Sequence, residues 1–117
     1  MSSKARAGQI VLTILGLLCG VIAISVNFVP DSFDSDANAL ISTFGVGFGA
    51  FVVILATFGL SRHPGLAWPA LWVLPAFFVS HVALLGTWLP DGIFFLVACA
   101  ALAVTATVRT PAHAAMA

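Results

Sequence analysis

Few side chains in this sequence can do chemistry, and they are scattered along it. His81 stands within a long apolar run, the one ionisable group placed so deep in such a stretch. An ionisable residue inside a membrane marks a functional site by default, because burying it is costly unless something uses it. On a helix His81 shares a face with Leu74, Phe77, Phe78, Leu84, Leu85 and Trp88, all bulky and apolar. A neutral imidazole donates one hydrogen bond and accepts another. The expected partners are Ser42, Thr43 or a backbone carbonyl freed by Pro75, which lacks an N–H and is expected to kink its helix. A cofactor or quinone reached through His81, for example in a partner subunit, is the other candidate, and no residue pattern names the cofactor. A metal cluster within the chain is not expected, since His63 and His113 fall on the opposite side of the membrane.

Two further patterns resemble binding motifs. Asp34-Ser35-Asp36-Ala37-Asn38 opens like a calcium loop, in which oxygens at alternate positions converge on a hard cation. Its glycine position holds Ala39 and its closing glutamate position holds Gly45, so capping of the second helix is the better reading. The glycines at 45, 47 and 49 do not make a nucleotide loop, which needs a preceding strand and phosphate in water. No Ser, His and Asp constellation, paired carboxylates or Cys-x-x-Cys spacing occurs. There is no glutamate, and no acidic residue lies within an apolar stretch, unlike small proton-coupled multidrug carriers that depend on a membrane-embedded carboxylate. Enzymatic activity is not expected.

The elements that must hold these residues follow from composition. Of 117 residues, 62% are apolar and 7% charged, against about 25% charged in a soluble domain. The formal charge is zero, which leaves no basic surface for nucleic acid. A membrane helix takes about 20 mainly apolar residues. Four such stretches occur, near 8–28, 38–61, 67–89 and 92–109, separated by turn chemistry around Pro30-Asp31, Ser61 to Gly65, and Pro90-Asp91-Gly92. The expectation is one all-α transmembrane domain over 1–117, a four-helix bundle whose sequential helices run antiparallel. The first stretch is read as a retained helix, because it is long and no clear small-residue cleavage site follows it. Lys4, Arg6, Arg62 and Arg109 then share one side, and Asp31, Asp34, Asp36 and Asp91 the other. The positive-inside rule puts both termini in the cytoplasm of a cell (inner) membrane protein. Trp68 and Trp72 toward the inner interface, and Trp88 at the outer one, read as anchors in the lipid bilayer.

Lipid tails are as apolar as leucine, so helices in a membrane associate through close packing at small residues. Gly16 and Gly20 on the first helix, and Gly45 and Gly49 on the second, form two GxxxG pairs at which close backbone approach is expected. Ala76, Ser80, Ala83 and Thr87 on the third helix, and Cys99, Ala103 and Thr107 on the fourth, offer further small-residue rows, for the bundle or for another protein. Cys19 and Cys99 lie in apolar runs and read as small hydrophobes, not as a disulfide framework.

The run from Arg62 through Trp68, Trp72 and Pro75, followed by Gly86-Thr87-Trp88-Leu89-Pro90-Asp91, resembles small four-helix membrane proteins of bacteria, particularly high-GC actinobacteria. The resemblance covers roughly the second half. It implies a fold and a cell-membrane location and assigns no role to any residue. The leading functional expectation is an accessory or scaffolding protein that packs against other membrane subunits or a second copy. A channel or carrier for a neutral or weakly polar solute, using Ser42, Thr43, Thr57, Pro75 and His81, is the alternative.

Overall fold

The computed structural model describes residues 1–29 and 34–106. Pro30, Asp31, Thr107, Arg109 and His113, each used above, lie outside the described residues. Among those described there is no strand, and four helices are long and apolar enough to cross a membrane: α1 (Ser3–Phe28), α2 (Ser35–Arg62), α3 (Pro64–Leu85) and α4 (Trp88–Thr105).

The helix ends are set by local chemistry that the apolar runs do not reveal. The α1 helix starts at Ser3, well before residue 8, because the Ser2 Oγ accepts from the Ala5 amide at 3.1 Å and caps it. Likewise α2 starts at Ser35, where the Asp34 carboxylate accepts from the Ala37 amide at 2.8 Å and Asp36 sits favourably in the first turn. The Asp34-x-Asp36-x-Asn38 pattern is therefore the start of a helix. Only His63, in a non-helical conformation, separates α2 from α3, and Pro64 follows in the first turn, where a missing N–H is harmless. At the other end α3 stops at Leu85, not near residue 89, because Gly86 turns left-handed at φ 68° and its amide closes on the Val82 carbonyl at 3.0 Å. Leu89 is extended, so the start of α4 is irregular and regular helix runs over Ile93–Thr105.

Two helices depart from regular geometry within the bundle. In α3 the helix is interrupted at Leu71 and Trp72. Pro75 stands four residues after Leu71 and can neither donate to its carbonyl nor pack against it. The Leu71 carbonyl instead accepts from the Leu74 amide at 3.0 Å, and the next bond, Ala76 N–H to Trp72 O, is stretched to 3.3 Å. Near its C-terminal end α2 widens over Leu55–Gly59, where the Leu60 amide reaches back five residues to the Leu55 carbonyl.

The four helices form a ring in chain order. The α1–α2 contact is the most extensive, α1–α4 comes next, and α3 closes the ring against α4 and the C-terminal end of α2. Leu12, Val52, Leu60, Leu71, Leu74 and Leu102 fill the centre with 0% exposure, so every helix contributes to one apolar core. The buried hydroxyl of Thr105 donates to carbonyls of its own helix, Ala101 O and Leu102 O.

Glycine sets the α1–α2 distance. A Cβ on Gly49 would lie 2.5 Å from the Gly16 carbonyl oxygen and 3.0 Å from the Gly20 nitrogen, both backbone atoms that cannot move aside. One on Gly16 would meet Val52 and Val53, and one on Gly45 would collide with the Ala23 methyl. Gly20 sits more loosely, with only the Val46 Cα near it at 3.9 Å. Gly49→Ala is expected to destabilise the bundle by about 1–3 kcal/mol through overpacking. Gly47→Ala, whose added methyl meets nothing within 4 Å, is expected to cause no loss. Thermal midpoints of the two variants in mild detergent check the contrast.

Candidate functional site

His81 is half-buried on α3, with its Nδ1 2.9 Å from the Phe77 carbonyl oxygen one turn earlier. A carbonyl can only accept, so Nδ1 carries a hydrogen in this contact. The ring lies 4.2 Å from that of Phe77, which stacks at 4.4 Å on Phe48 of α2. The partners expected for His81 are occupied elsewhere. The Ser42 hydroxyl donates to Ala23 O at 3.1 Å and accepts from the Asn27 amide at 2.6 Å, clasping α2 to α1. Thr43 donates to Ala39 O within its own helix. The carbonyl that Pro75 displaces is that of Leu71, more than two turns from His81. The imidazole is thus held by its own helix and an aromatic stack.

A polar side chain that ties two helices together is Gln9 of α1, which sequence reasoning did not single out. Its Nε2 lies 2.8 Å from Ala56 O, 3.1 Å from Thr57 O and 3.1 Å from the Ser61 Oγ. Both carbonyls belong to the widened turn of α2, where the regular ladder is disturbed and in-membrane oxygens need another donor. Since carbonyls cannot donate, the nitrogen of the Gln9 amide must face them and Oε1 must turn away. The only sequence signal was an amide inside an apolar run, close enough to the span end to pass as interfacial. A cleft of about 560 Å³ opens beside it between α1 and α2.

Trp68, expected as an interface anchor, joins two helices. Its indole Nε1–H donates to the Leu102 carbonyl at 2.9 Å, joining α3 to α4. That oxygen is available because the Ala106 amide, at the end of α4, turns to Ala103 O instead. Trp72 packs edge-on to Trp68 at 5.7 Å and is 41% exposed, while Trp88 is 73% exposed at the opposite end. Gly8, also unflagged by sequence, lets α1 approach α4: a Cβ there would lie 2.6 Å from Val104 and 2.8 Å from the Ala101 carbonyl.

These contacts leave the sequence-derived sites apart. Gln9, Ser61, Trp68 and Leu102 gather at one end of the bundle, Asn27, Ser42 and Thr87 with Asp91 at the other, and His81 stands between helices without joining either group. Among the described residues, no three His, Cys, Asp or Glu side chains converge as a metal site would need. Comparison with protein-family models, curated proteins and solved structures finds no match.

Gln9→Leu leaves in-membrane carbonyls without their donor and is expected to cost about 1–2 kcal/mol. His81→Leu removes only a bond to a carbonyl within the same helix and is expected to cost less than about 1 kcal/mol. Thermal unfolding of both variants in the same detergent tests this ranking.

Proposed function

We propose that this chain is a small accessory or scaffolding subunit of a cell membrane, with both termini cytoplasmic, that packs against another membrane protein. The observation that carries this reading is the orientation of α3. Ala76, Ser80 and Ala83 are all exposed and face away from the chain's own core. Small residues turned outward let a foreign helix approach closely, which large lipid-facing side chains do not. The Ser80 hydroxyl is already bonded to Phe77 O, so the row offers shape and not a free polar group.

The solute-pathway reading has less support. Among the described residues the core is lined mainly by leucine, valine and alanine with Cys19 and Phe78, and the one buried polar side chain, Thr105, is bonded to its own helix. Ser42, Thr43 and Thr57 likewise donate to backbone carbonyls. A continuous polar route through a single copy is not part of this arrangement. The topology is supported by charge: Lys4, Arg6 and Arg62 share the end marked by Gln9 and Ser61, and Asp34, Asp36 and Asp91 share the other.

Two measurements test these statements. In a cysteine-free background, Ser35→Cys is expected to react with an impermeant thiol reagent from outside the cell, and Ser61→Cys only after permeabilisation; the reverse pattern inverts the topology. Ala83→Cys is expected to crosslink to a neighbouring membrane protein in native membranes, and Ser80→Trp to abolish that product. Crosslinking to a second copy alone replaces the heterologous partner with a homo-oligomer, and no product at all removes the packing role.

A further inference from the structure

The cleft beside Gln9 has a polar mouth and an apolar interior. Gln9 and Thr13 of α1, and Thr57, Ser61 and Arg62 of α2, supply its polar atoms, while Ile10, Ile14 and Phe58 supply exposed apolar walls. Depth orders these groups. Ser61 and Arg62 close the last turn of α2, with Phe58 one turn deeper, and Ile14 lies deeper than Ile10 on α1.

An account of the hydrogens shows what the cleft offers a ligand. The Gln9 amide hydrogens face Ala56 O, Thr57 O and the Ser61 Oγ. Thr13 donates to Gln9 O at 2.9 Å and Thr57 to Val53 O at 2.7 Å, so neither hydroxyl proton points into the cleft. The Ser61 oxygen already accepts from Gln9, which leaves its own hydrogen free to donate outward. Among the described residues the Arg62 guanidinium has no hydrogen-bond or ion-pair partner; the acidic side chains described, Asp34, Asp36 and Asp91, sit at the opposite end. Every donor still available therefore lies at the mouth, next to a fixed positive charge. Arg6, one turn above Ile10 on the same face of α1, adds a second guanidinium nearby.

A donor-rich cationic mouth recognises an oxyanion, and guanidinium forks match phosphate geometry. Below it, Ile10, Ile14 and Phe58 are each about half exposed or more, at 53%, 49% and 63%. A ligand that satisfies both parts carries an anionic head on an apolar tail. We propose that the α1–α2 cleft binds an anionic phospholipid, its phosphate held by Ser61 and Arg62 and one acyl chain lying along Ile10, Ile14 and Phe58. Basic recesses between membrane helices are suited to such headgroups. The bound lipid bridges α1 to α2 at the widened turn and stabilises that end of the bundle. The proposal does not depend on a protein partner at α3 and fails separately from it.

The test uses delipidated full-length protein in an uncharged detergent, with thermal midpoints followed during titration with phosphatidylglycerol, phosphatidylcholine or inorganic phosphate. Phosphatidylglycerol is expected to raise the midpoint saturably, as a ligand of the folded state does, with little response to the other two. Arg62→Gln and Ser61→Ala should each weaken the apparent affinity at least tenfold. Ile14→Trp should abolish the response by filling the cleft with every charge in place, and Lys4→Gln should change it less than twofold. Equal responses to phosphatidylglycerol and phosphatidylcholine, or an unaltered affinity in Arg62→Gln, overturn the proposal. So does a loss in Lys4→Gln as large as in Arg62→Gln, which would mark diffuse charge attraction. A response to inorganic phosphate matching that to the lipid assigns the mouth to a free anion and overturns the lipid assignment.

Discussion

The arrangement depends on how closely two backbones can lie without water to drive them together. In a bilayer the hydrophobic effect gives helices no reason to prefer one another over lipid, so association rests on dispersion contacts that fall off steeply with distance. Gly49 against the Gly16 carbonyl removes the side chains that would otherwise hold α1 and α2 apart. Gly8 does the same for α1 against α4, and Gly59 against Ala67 for α2 and α3. With α1 fixed to both neighbours, the leucines at 12, 60, 71, 74 and 102 meet in a single core.

A second constraint is the need to satisfy backbone carbonyls wherever the helical ladder is disturbed. Three disturbances among the described residues are each answered differently. The widened turn of α2 is served by Gln9 from α1, the Leu102 carbonyl in the last described turn of α4 by Trp68 from α3, and the break before Pro75 by a tighter turn within α3 itself. The first two repairs come from neighbouring helices. Irregular backbone is thereby converted into interhelical bonds at the same end of the bundle, which gives that end a specificity that small-residue packing alone lacks.

Much of the helical architecture was legible in the sequence, because a span must be long and apolar whatever surrounds it. The four apolar runs correspond to four helices. Their ends were less legible, since Ser2, Asp34 and Gly86 act through caps and a left-handed turn that hydropathy does not register. Which face of α4 points inward was not legible either. Cys99 and Ala103 form a regular small-residue row, yet Ala98, Ala101, Leu102 and Thr105 are the buried residues and Ala103 is exposed. Spacing defines several rows on one helix, and only the shapes of α1 and α3 choose among them. Gln9 was hidden for a related reason: its partners are carbonyls of an irregular turn 47 and 48 residues away, and no side-chain pattern encodes such a turn.

The corner at His63 bears on the register of the two helices that it joins. One residue separates α2 from α3, and the Ala67 methyl lies where a Gly59 side chain would be. So short a tether holds the two helix ends side by side, and neither helix can slide a turn along the other unless residues at the corner unwind. The register between α2 and α3 is therefore fixed by the connection itself as well as by the side chains that pack across it.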